Sequence, residues 1–512
     1  MSASKPHRIV HKLLIANRGE IAARIIRACR EMGVQSVAVF SEADRRAPYL
    51  ANADRVVCIG PAPAAESYLC VDRIIQAALD TRADAIHPGY GFLSENAGFA
   101  ARCAEHGLIF IGPAADVIAA LGDKAAAKAL ARQANVPVVP GYYGDDQTNA
   151  RLIAEAGFLG TPLLIKATAG GGGRGMRVVE DLAEFPGLLR EARREALAAF
   201  GSENVLLERY LARPRHIEVQ IMGDSEGRVF ALHERECSLQ RRHQKILEES
   251  PSPGLDADLR SEICEAAVRI GQAAGYRNAG TVEFLLEGSG TSAQFYFLEV
   301  NTRLQVEHPV TEARTALDLV RLQIDIASGR PTPGLIAPMP AHGHAIEVRI
   351  YSEDPARGFA PSLGTLAVWS PPTGPGVRVD SGVEQGDAVT PYYDPMLAKL
   401  IVHATTRPDA IDRMIAALEE FHVIGVETNI PYLLAILADP AFRAGETHVR
   451  FLDERFAAWR PANDVPDEAL LALAAQTLGR RGENSFAQAG SSPHSATRPG
   501  SAWNETGNWR NV

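Results

Sequence analysis

Through the first hundred or so residues, short Val/Ile-rich runs alternate with amphipathic stretches: "KLLIAN", "GEIAARIIRACREMG", "SVAVFS", "RVVCIG", "DRIIQAALDTRA", "AIHPG", "GFAARCAEHG" and "IFIG". Strand-length apolar runs separated by helices imply a parallel sheet with helices on both faces, a doubly wound domain. Its first strand-to-helix turn, "ANRGE", puts Gly19 at a helix start but lacks the spacing G-x-G-x-x-G, so it reads as a structural turn.

That domain accounts for only part of a 512-residue chain, since single cores seldom grow beyond about 250 residues. Two to four domains are expected. Apolar residues at 46% and charged residues at 22% are ordinary for a globular enzyme. A net charge of −10 argues against a broad nucleic-acid or anionic-membrane surface, so an anionic ligand must be bound locally. The six cysteines, Cys29, Cys58, Cys70, Cys103, Cys237 and Cys264, form no C-x-x-C pair and read as reduced thiols. No stretch has the roughly 20 apolar residues of a membrane span, and the N-terminus lacks a signal-peptide pattern. A cytoplasmic protein is expected.

From about Ala115 the helix-like "VIAALGDKAAAKALARQA" leads into a mixed region of strands ("PLLIKA", "MRVVE", "VLLERY", "HIEVQIMG", "RVFALHERECSLQ", "GTVEFLLE", "QFYFLEVN") and two long helices. This is an α+β pattern with antiparallel hairpins. A third region, about His344 to Phe451, reads as a small α+β domain. Beyond it, "PDEALLALAAQTLGRR" has a helical pattern and the Ser/Gly/Asn-rich remainder reads as linker or disorder.

Three stretches carry chemistry. "TAGGGGRGMRV" sits between two strands and is no P-loop, because no Lys-Ser/Thr follows at the required spacing. Either it is a plain flexible turn, or its glycines let backbone N–H groups approach phosphate with Arg174 and Arg177 nearby. Lys166, ending an apolar strand, favours the second, since a buried ammonium needs an anionic partner. In "FYFLEVNTRLQVEHP", Glu299, Asn301, Arg303, Gln305 and Glu307 recur at every second position, so an extended chain projects all five from one face. Leu298, Val300, Leu304 and Val306 then point into a core. Glu283 in "TVEFLLE" falls on the expected antiparallel neighbour, and two carboxylates with an amide oxygen suit Mg²⁺ carrying phosphate. A solvated strand face is the alternative. The charge-dense "HERECSLQRRHQKILEESP" reads either as an exposed salt-bridged segment or, through Gln240, His243 and Lys245, as a polar ligand site.

Together "KLLIANRGEIAARIIRA", "HPGYGFLSEN", "GDKAAAK", "KATAGGGGRGMRVV", "ERYLARPRHIEVQ", "ERECSLQRRHQKILEESP", "FLEVNTRLQVEHPVTE", "HAIEVRIYSEDP" and "YYDPMLAKLIVH" closely resemble the biotin carboxylase component of biotin-dependent carboxylases, an ATP-grasp enzyme. The resemblance runs in unbroken order from about His7 to Phe456. It implies an α/β and α+β multidomain fold: a doubly wound N-terminal domain (1–120), an ATP-grasp domain (121–340) with a glycine-rich lid near 135–205, a small α+β C-terminal domain (341–457), and a helix plus linker-like tail (458–512).

The resemblance also implies a reaction. ATP and bicarbonate, with Mg²⁺ or Mn²⁺, form carboxyphosphate, and the CO₂ it yields is captured by biotin. By matched position, Lys124 and Lys166 bind ATP phosphates, Gly172 and Gly173 lie in the lid, and Glu208, Arg209, Tyr210 and Leu211 hold the adenine. His216, Gln240 and His243 lie near the nucleotide. Glu283, Glu299 and Asn301 hold the metals, while Lys245, Arg303 and the Val306 backbone grip bicarbonate. Glu307 is the general base, and Arg349 stabilises the biotin enolate.

Two departures bear on this expectation. Ala169 stands where the family usually places a lid glycine, and no Met-Lys-Met sequence occurs for biotin attachment. Biotin is therefore expected on a carrier protein or a missing C-terminal carrier domain, with a carboxyltransferase subunit as a further partner and a homodimer as the assembly. The tail resembles the linker of acyl-CoA carboxylase α subunits. The competing readings are a carbamoyl-phosphate synthetase type of ATP-grasp ligase and a catalytically silent nucleotide-binding subunit. The first is opposed by "RLQVEHP" and "QRRHQK", the second by the presence of every metal carboxylate and of Glu307.

Overall fold

A computed structural model describes residues 9–168, 176–242 and 244–461. Gly172, Gly173 and His243, the glycine run and the tail beyond 461 lie outside the described residues.

Near the N-terminus, β1 (Lys12–Ile15), α1 (Gly19–Met32), β2 (Gln35–Ser41), β3 (Arg55–Gly60), α2 (Val71–Thr81), β4 (Ala85–His87), α3 (Ala97–Glu105) and β5 (Ile109–Phe110) follow one another. The five strands form a parallel sheet in the order β3-β2-β1-β4-β5. Alternate residues of β1, with Ala16 just after it, feed two cores: Leu13 and Ile15 join one apolar cluster with Ile21 and Ile25, Leu14 and Ala16 another with Val39 and Phe99. A sheet buried on both faces requires this two-sided hydrophobicity.

The expected helix across "VIAALGDKAAAKALARQA" is two: α4 (Ala115–Gly122) and α5 (Lys124–Gln133). Asp123 divides them. Its backbone is extended and its carboxylate accepts from the Ala126 N–H at 2.8 Å, an N-cap that outweighs the continuous helical period.

Next come β6 (Gly141–Tyr142), α6 (Asn149–Leu159), β7 (Leu163–Ala167), β8 (Arg177–Val179), α7 (Phe185–Phe200) and β9 (Val205–Arg209). Their strands pair antiparallel in the order β6-β9-β7-β8. The largest sheet is built from β10 (Arg215–Gly223), β11 (Val229–Arg241), β12 (Gln244–Ser250), β13 (Asn278–Glu287), β14 (Gln294–Asn301) and β15 (His344–Tyr351), with α8 (Ala257–Ala273) against one face and α9 (His308–Thr315) following β14. Strands Met396–Ala404 and Val377–Ser381 complete it, in the order β14-β13-β10-β11-β12-β15 and then those two. Because β12 pairs with β15, Leu247 opposite Val348 and Glu248 opposite Glu347, one sheet runs across the expected 340/341 junction. Among the described residues no helix is long and apolar enough to cross a membrane. All six cysteines are free thiols.

Candidate active site

On β13 the alternation sends Val282 and Phe284 into the apolar cluster beneath α8, leaving Thr281 and Glu283 on the opposite face. β10 places Glu218 beside Glu283, and β14 places Glu299 beside it on the other side. The β13/β14 register slips between Glu283 and Phe284: Glu283 faces Glu299 whereas Phe284 faces Phe297. The extra residue, Leu298, makes a bulge that lets Phe297 and Val300 both enter the core and turns Glu299 toward Glu283. Leu298 and Val306, expected in the core, are only partly buried, while Val300 and Leu304 are buried.

The extended run expected through Glu307 ends at Asn301; Thr302–Val306 is a loop and Glu307 opens α9. Convergence comes instead from side-chain hydrogen bonds. Asn301 Nδ2 and Gln305 Nε2 donate to Glu283 Oε1 at 2.8 and 2.9 Å, and Arg303 donates to Asn301 Oδ1 at 3.1 Å. Glu307 joins through Lys245, whose Nζ donates to Glu218 (2.5 Å), Glu307 (2.7 Å) and Glu283 (2.9 Å).

The charge-dense segment is not an exposed one: Glu234, Arg235, Glu236, Glu248 and Glu249 are all buried. Arg235, fully buried, donates to Glu218 at 2.7 Å, to Gln220 and Thr311 at 2.9 Å and to Gln305 at 3.0 Å. Arg349 spans Glu248 (2.7 Å) and Glu307 (3.0 Å). Glu218, Arg235 and Glu248 were not singled out from the sequence. Glu218, between Ile217 and Val219, carries the signal of an ionisable residue in an otherwise apolar strand, where an unpaired charge is costly; Arg235 and Glu248 lie in charge-dense runs without it.

Burial raises the affinity of Glu307 for a proton, but Lys245, Arg349 and Arg235 outweigh it and hold the carboxyl well below the usual carboxylate range. Glu283 behaves likewise under burial opposed by Lys245 and His216. For Glu248 burial wins over Arg349, and the neighbouring Glu307 adds to it, raising the pKa to about 7.

A second cluster lies at the four-stranded sheet. Glu208 is turned inward, 2.7 Å from Lys128 and 2.5 Å from Lys166, and accepts from the Tyr143 hydroxyl at 2.9 Å. Burial opposes its ionisation, yet Lys166 and Lys128 hold it down at about 2. Arg209 is tied to Glu287 (2.8 Å) and the Tyr296 hydroxyl (3.0 Å). The Tyr210 N–H donates to the Pro162 carbonyl, and Leu211 packs with Val139 and Tyr296 into an apolar wall. Gln240 donates to His216 Nδ1 at 2.9 Å, and the ring's Nε2 lies 3.1 Å from Glu283 Oε2. His216 therefore stands at the carboxylate cluster.

Carboxylates directly opposite on paired strands repel unless a cation intervenes. Lys245 covers Glu283, but Glu299, partly exposed, meets among the described residues only Lys124, at 3.8 Å. Hard-oxygen donors with this spare capacity fit Mg²⁺ or Mn²⁺. Beside the cluster opens a cleft of about 510 Å³ lined in part by Glu20, Tyr90, Arg303, Val306, Arg349 and Tyr393.

Comparison with known proteins follows the same architecture. Residues 9–118 match the family described as biotin carboxylase, N-terminal domain. Residues 123–334 match carbamoyl-phosphate synthase L chain, ATP binding domain, and residues 347–454 match the biotin carboxylase C-terminal domain. The chain is 48% identical over 457 residues to the mitochondrial methylcrotonoyl-CoA carboxylase subunit alpha of Rattus norvegicus, a match covering 89% of this chain and 64% of that subunit. It thus spans a little under two thirds of that curated relative. It is 50% identical over 443 residues to the biotin carboxylase of Nostoc sp., covering 86% of this chain and 98% of that protein.

Among solved structures, the biotin carboxylase domain dimer of Hydrogenobacter thermophilus 2-oxoglutarate carboxylase, in complex with MgADP, ADP and bicarbonate, has a TM-score of 0.85 at 44% identity. That match covers 89% of this chain and 100% of that one. The Campylobacter jejuni biotin carboxylase–β,γ-ATP complex has a TM-score of 0.84 at 43% identity, covering 87% and 99%. Half of the residues identical along nearly the whole Nostoc enzyme, on the same succession of domains, mean that this chain belongs to the biotin carboxylase family.

Proposed function

We propose that this chain carboxylates biotin at the expense of ATP and bicarbonate, with Glu307 as the base that deprotonates bicarbonate. The observation that carries this reading is the position of Glu307, buried and ionised between Lys245 and Arg349, next to a cleft lined by Arg303, Val306 and Arg349. A carboxylate so strongly held is a weak base in isolation. The cations that hold it also acidify bicarbonate placed among them, so the proton moves between groups of matched affinity.

Lys245, Arg303 and the Val306 backbone then grip the bicarbonate, whose oxygen attacks the γ-phosphorus of ATP and expels ADP. Carboxyphosphate breaks to CO₂ and phosphate; the released phosphate takes the ureido N–H proton of biotin, Arg349 stabilises the negative charge on the ureido oxygen, and the deprotonated nitrogen takes the CO₂. Lys124 and Lys166 neutralise phosphate charge, with Gly172 and Gly173 closing above it. The chain from Glu208 to Leu211 holds the adenine against its apolar wall, with Gln240 and His243 near the nucleotide and His216 between Gln240 and the metal carboxylate Glu283. Glu283, Glu299 and Asn301 would hold Mg²⁺ or Mn²⁺, which supplies charge neutralisation on the phosphates. Water exclusion protects carboxyphosphate from wasteful hydrolysis.

The similarity to methylcrotonoyl-CoA carboxylase subunit alpha supports a place in an acyl-CoA carboxylase, with biotin on a carrier protein or domain and a carboxyltransferase downstream. Homodimerisation is supported by the dimer of the Hydrogenobacter relative, and we place the protein in the cytoplasm. We retain 1–120, 121–340, 341–457 and 458–512 as its working divisions.

The test is ADP release from Mg·ATP and bicarbonate with and without free biotin. A strong rise on adding biotin is expected. ATP binding without bicarbonate-dependent turnover, with or without a biotinylated carrier, would overturn the reading in favour of a silent subunit, and ammonia-dependent turnover would favour the carbamoyl-phosphate type.

A further inference from the structure

The loop from Thr302 to Val306, and Glu307 after it, lack a sheet partner, yet they carry Arg303, Val306 and Glu307. Three anchors hold them. Glu95, from the N-terminal region, accepts from the Thr302 N–H at 3.1 Å and from Arg303 Nε at 3.0 Å. From the large sheet, Glu283 and Arg235 grip the Gln305 amide at 2.9 and 3.0 Å. The third anchor is Lys399, on strand Met396–Ala404, whose Nζ donates to the Val306 carbonyl at 2.8 Å.

Lys399 has no exposed side-chain surface; among the described residues Glu20 of α1, at 3.3 Å, is the one carboxylate within ion-pair distance, and the buried Asp380 sits opposite Lys399 on the neighbouring strand. Buried ammonium requires a counter-charge, so an ion pair serving stability alone is the plain explanation. The geometry points further, because the closer partner of the ammonium is the carbonyl and not the carboxylate. A hydrogen bond to that oxygen fixes the peptide plane between Val306 and Glu307, and with it the direction in which the Glu307 side chain leaves the backbone. Glu307 in turn has to meet Lys245 and Arg349 at hydrogen-bond distance.

We infer that Lys399 is a positioning residue that orients the Val306–Glu307 peptide and thereby the anion-binding end of the cleft. The inference rests on the reading of Glu307 and Val306 given above. It assigns to one buried ammonium the job of tying α1, the Arg303–Glu307 loop and the C-terminal strand to a common geometry.

The test uses the full chain carrying Lys399→Met together with Glu20→Gln, which removes the ammonium with its nearest carboxylate and leaves Asp380 paired with Arg378 at 2.6 Å, and Lys399→Gln in parallel. ATP binding by titration, melting temperature, and the KM values for ATP and bicarbonate are measured with kcat. The double variant is expected to fold and to bind ATP within about twofold of the parent, while kcat/KM for bicarbonate falls roughly 10- to 100-fold, the loss that small misplacement of reacting groups brings. A parent-like value for bicarbonate would reduce Lys399 to an ion-pair partner and overturn the inference. So would equal losses of ATP and bicarbonate binding in both variants, which would assign Lys399 to folding alone. Glu307→Gln serves as the control: normal bicarbonate-dependent turnover in that variant would sink the reading of the site itself, independently of the Lys399 result.

Discussion

Lys245 Nζ lies 2.7 Å from Glu307 Oε1, a contact that joins β12 to the start of α9 across 62 residues of chain. The same ammonium also reaches Glu218 and Glu283, so one lysine counters three buried carboxylates, with Arg235 and Arg349 supplying the remaining positive charge. Such a cluster is held by mutual pairing, and removal of one member leaves the others exposed to the cost of burial.

Glu307→Gln keeps the shape of the side chain and removes its basicity. ATP affinity is expected to stay near that of the parent while bicarbonate-dependent ADP release drops roughly 100-fold or more, the usual contribution of a positioned base. Nucleotide titration and ADP release on the same preparation check both halves, and undiminished release would remove Glu307 from the base role.

Among the described residues, Arg349→Met leaves Glu248 with no cationic partner within ion-pair distance and takes one of the two from Glu307. We expect ATP binding to survive and stimulation by free biotin to fall by roughly 100-fold, as for loss of a donor to developing negative charge. Comparing ADP release with and without biotin reads this out; full stimulation in the variant would mean that Arg349 does not act on the biotin step.

Glu299→Gln tests the metal assignment. Because Glu299 faces Glu283 across the strand pair and has little else to bind, the Mn²⁺ concentration for half-maximal activity is expected to rise at least about 10-fold, in the range typical of changes in and around metal sites. Paramagnetic titration with Mn²⁺ provides a readout apart from turnover, and an unchanged affinity would exclude Glu299 as a ligand.

Glu208 gives a pH prediction. Its carboxyl lies at about 2 in the folded chain against an ordinary 4.5, so the unfolded chain binds more protons between those values and stability falls as the solution is acidified through that window. The contribution, about 3 kcal/mol by linkage, is fully present above pH 4.5. Glu208→Gln is therefore expected to be less stable than the parent at pH 7, by a margin that narrows between pH 4.5 and 3. Urea unfolding at several pH values measures the margin, and a constant difference would contradict the pairing with Lys128 and Lys166.

Several determinants were local and therefore legible in the sequence. The two-sided apolar runs that make β1 a central parallel strand follow from its own residues, as does the alternation that puts Val282 and Phe284 on one face of β13 and Glu283 on the other. Antiparallel pairing of β13 with β14 follows from two strand patterns separated by a short turn, whereas the register that sets Glu283 opposite Glu299 depends on the bulge at Leu298. The family resemblance extended this to named roles for residues such as Lys245, Arg303 and Arg349, whose neighbours in space no period could identify.

Tertiary structure decided the rest. Strand periodicity carried past Asn301 predicts an extended segment, but the loop turns there because Glu95, Arg235 and Lys399 offer hydrogen bonds that a continued strand would not have. The bulge at Leu298 exists because Phe297 and Val300 both gain burial in the core under α8. Glu218, Arg235 and Glu248 became part of the site only when distant strands were placed side by side, since the sign and strength of a buried charge's environment are set by partners tens of residues away. The sequence by itself determined which side chains share a face, because that depends on local backbone period; which charges neutralise one another depends on distances between strands, and only the folded sheet supplied them.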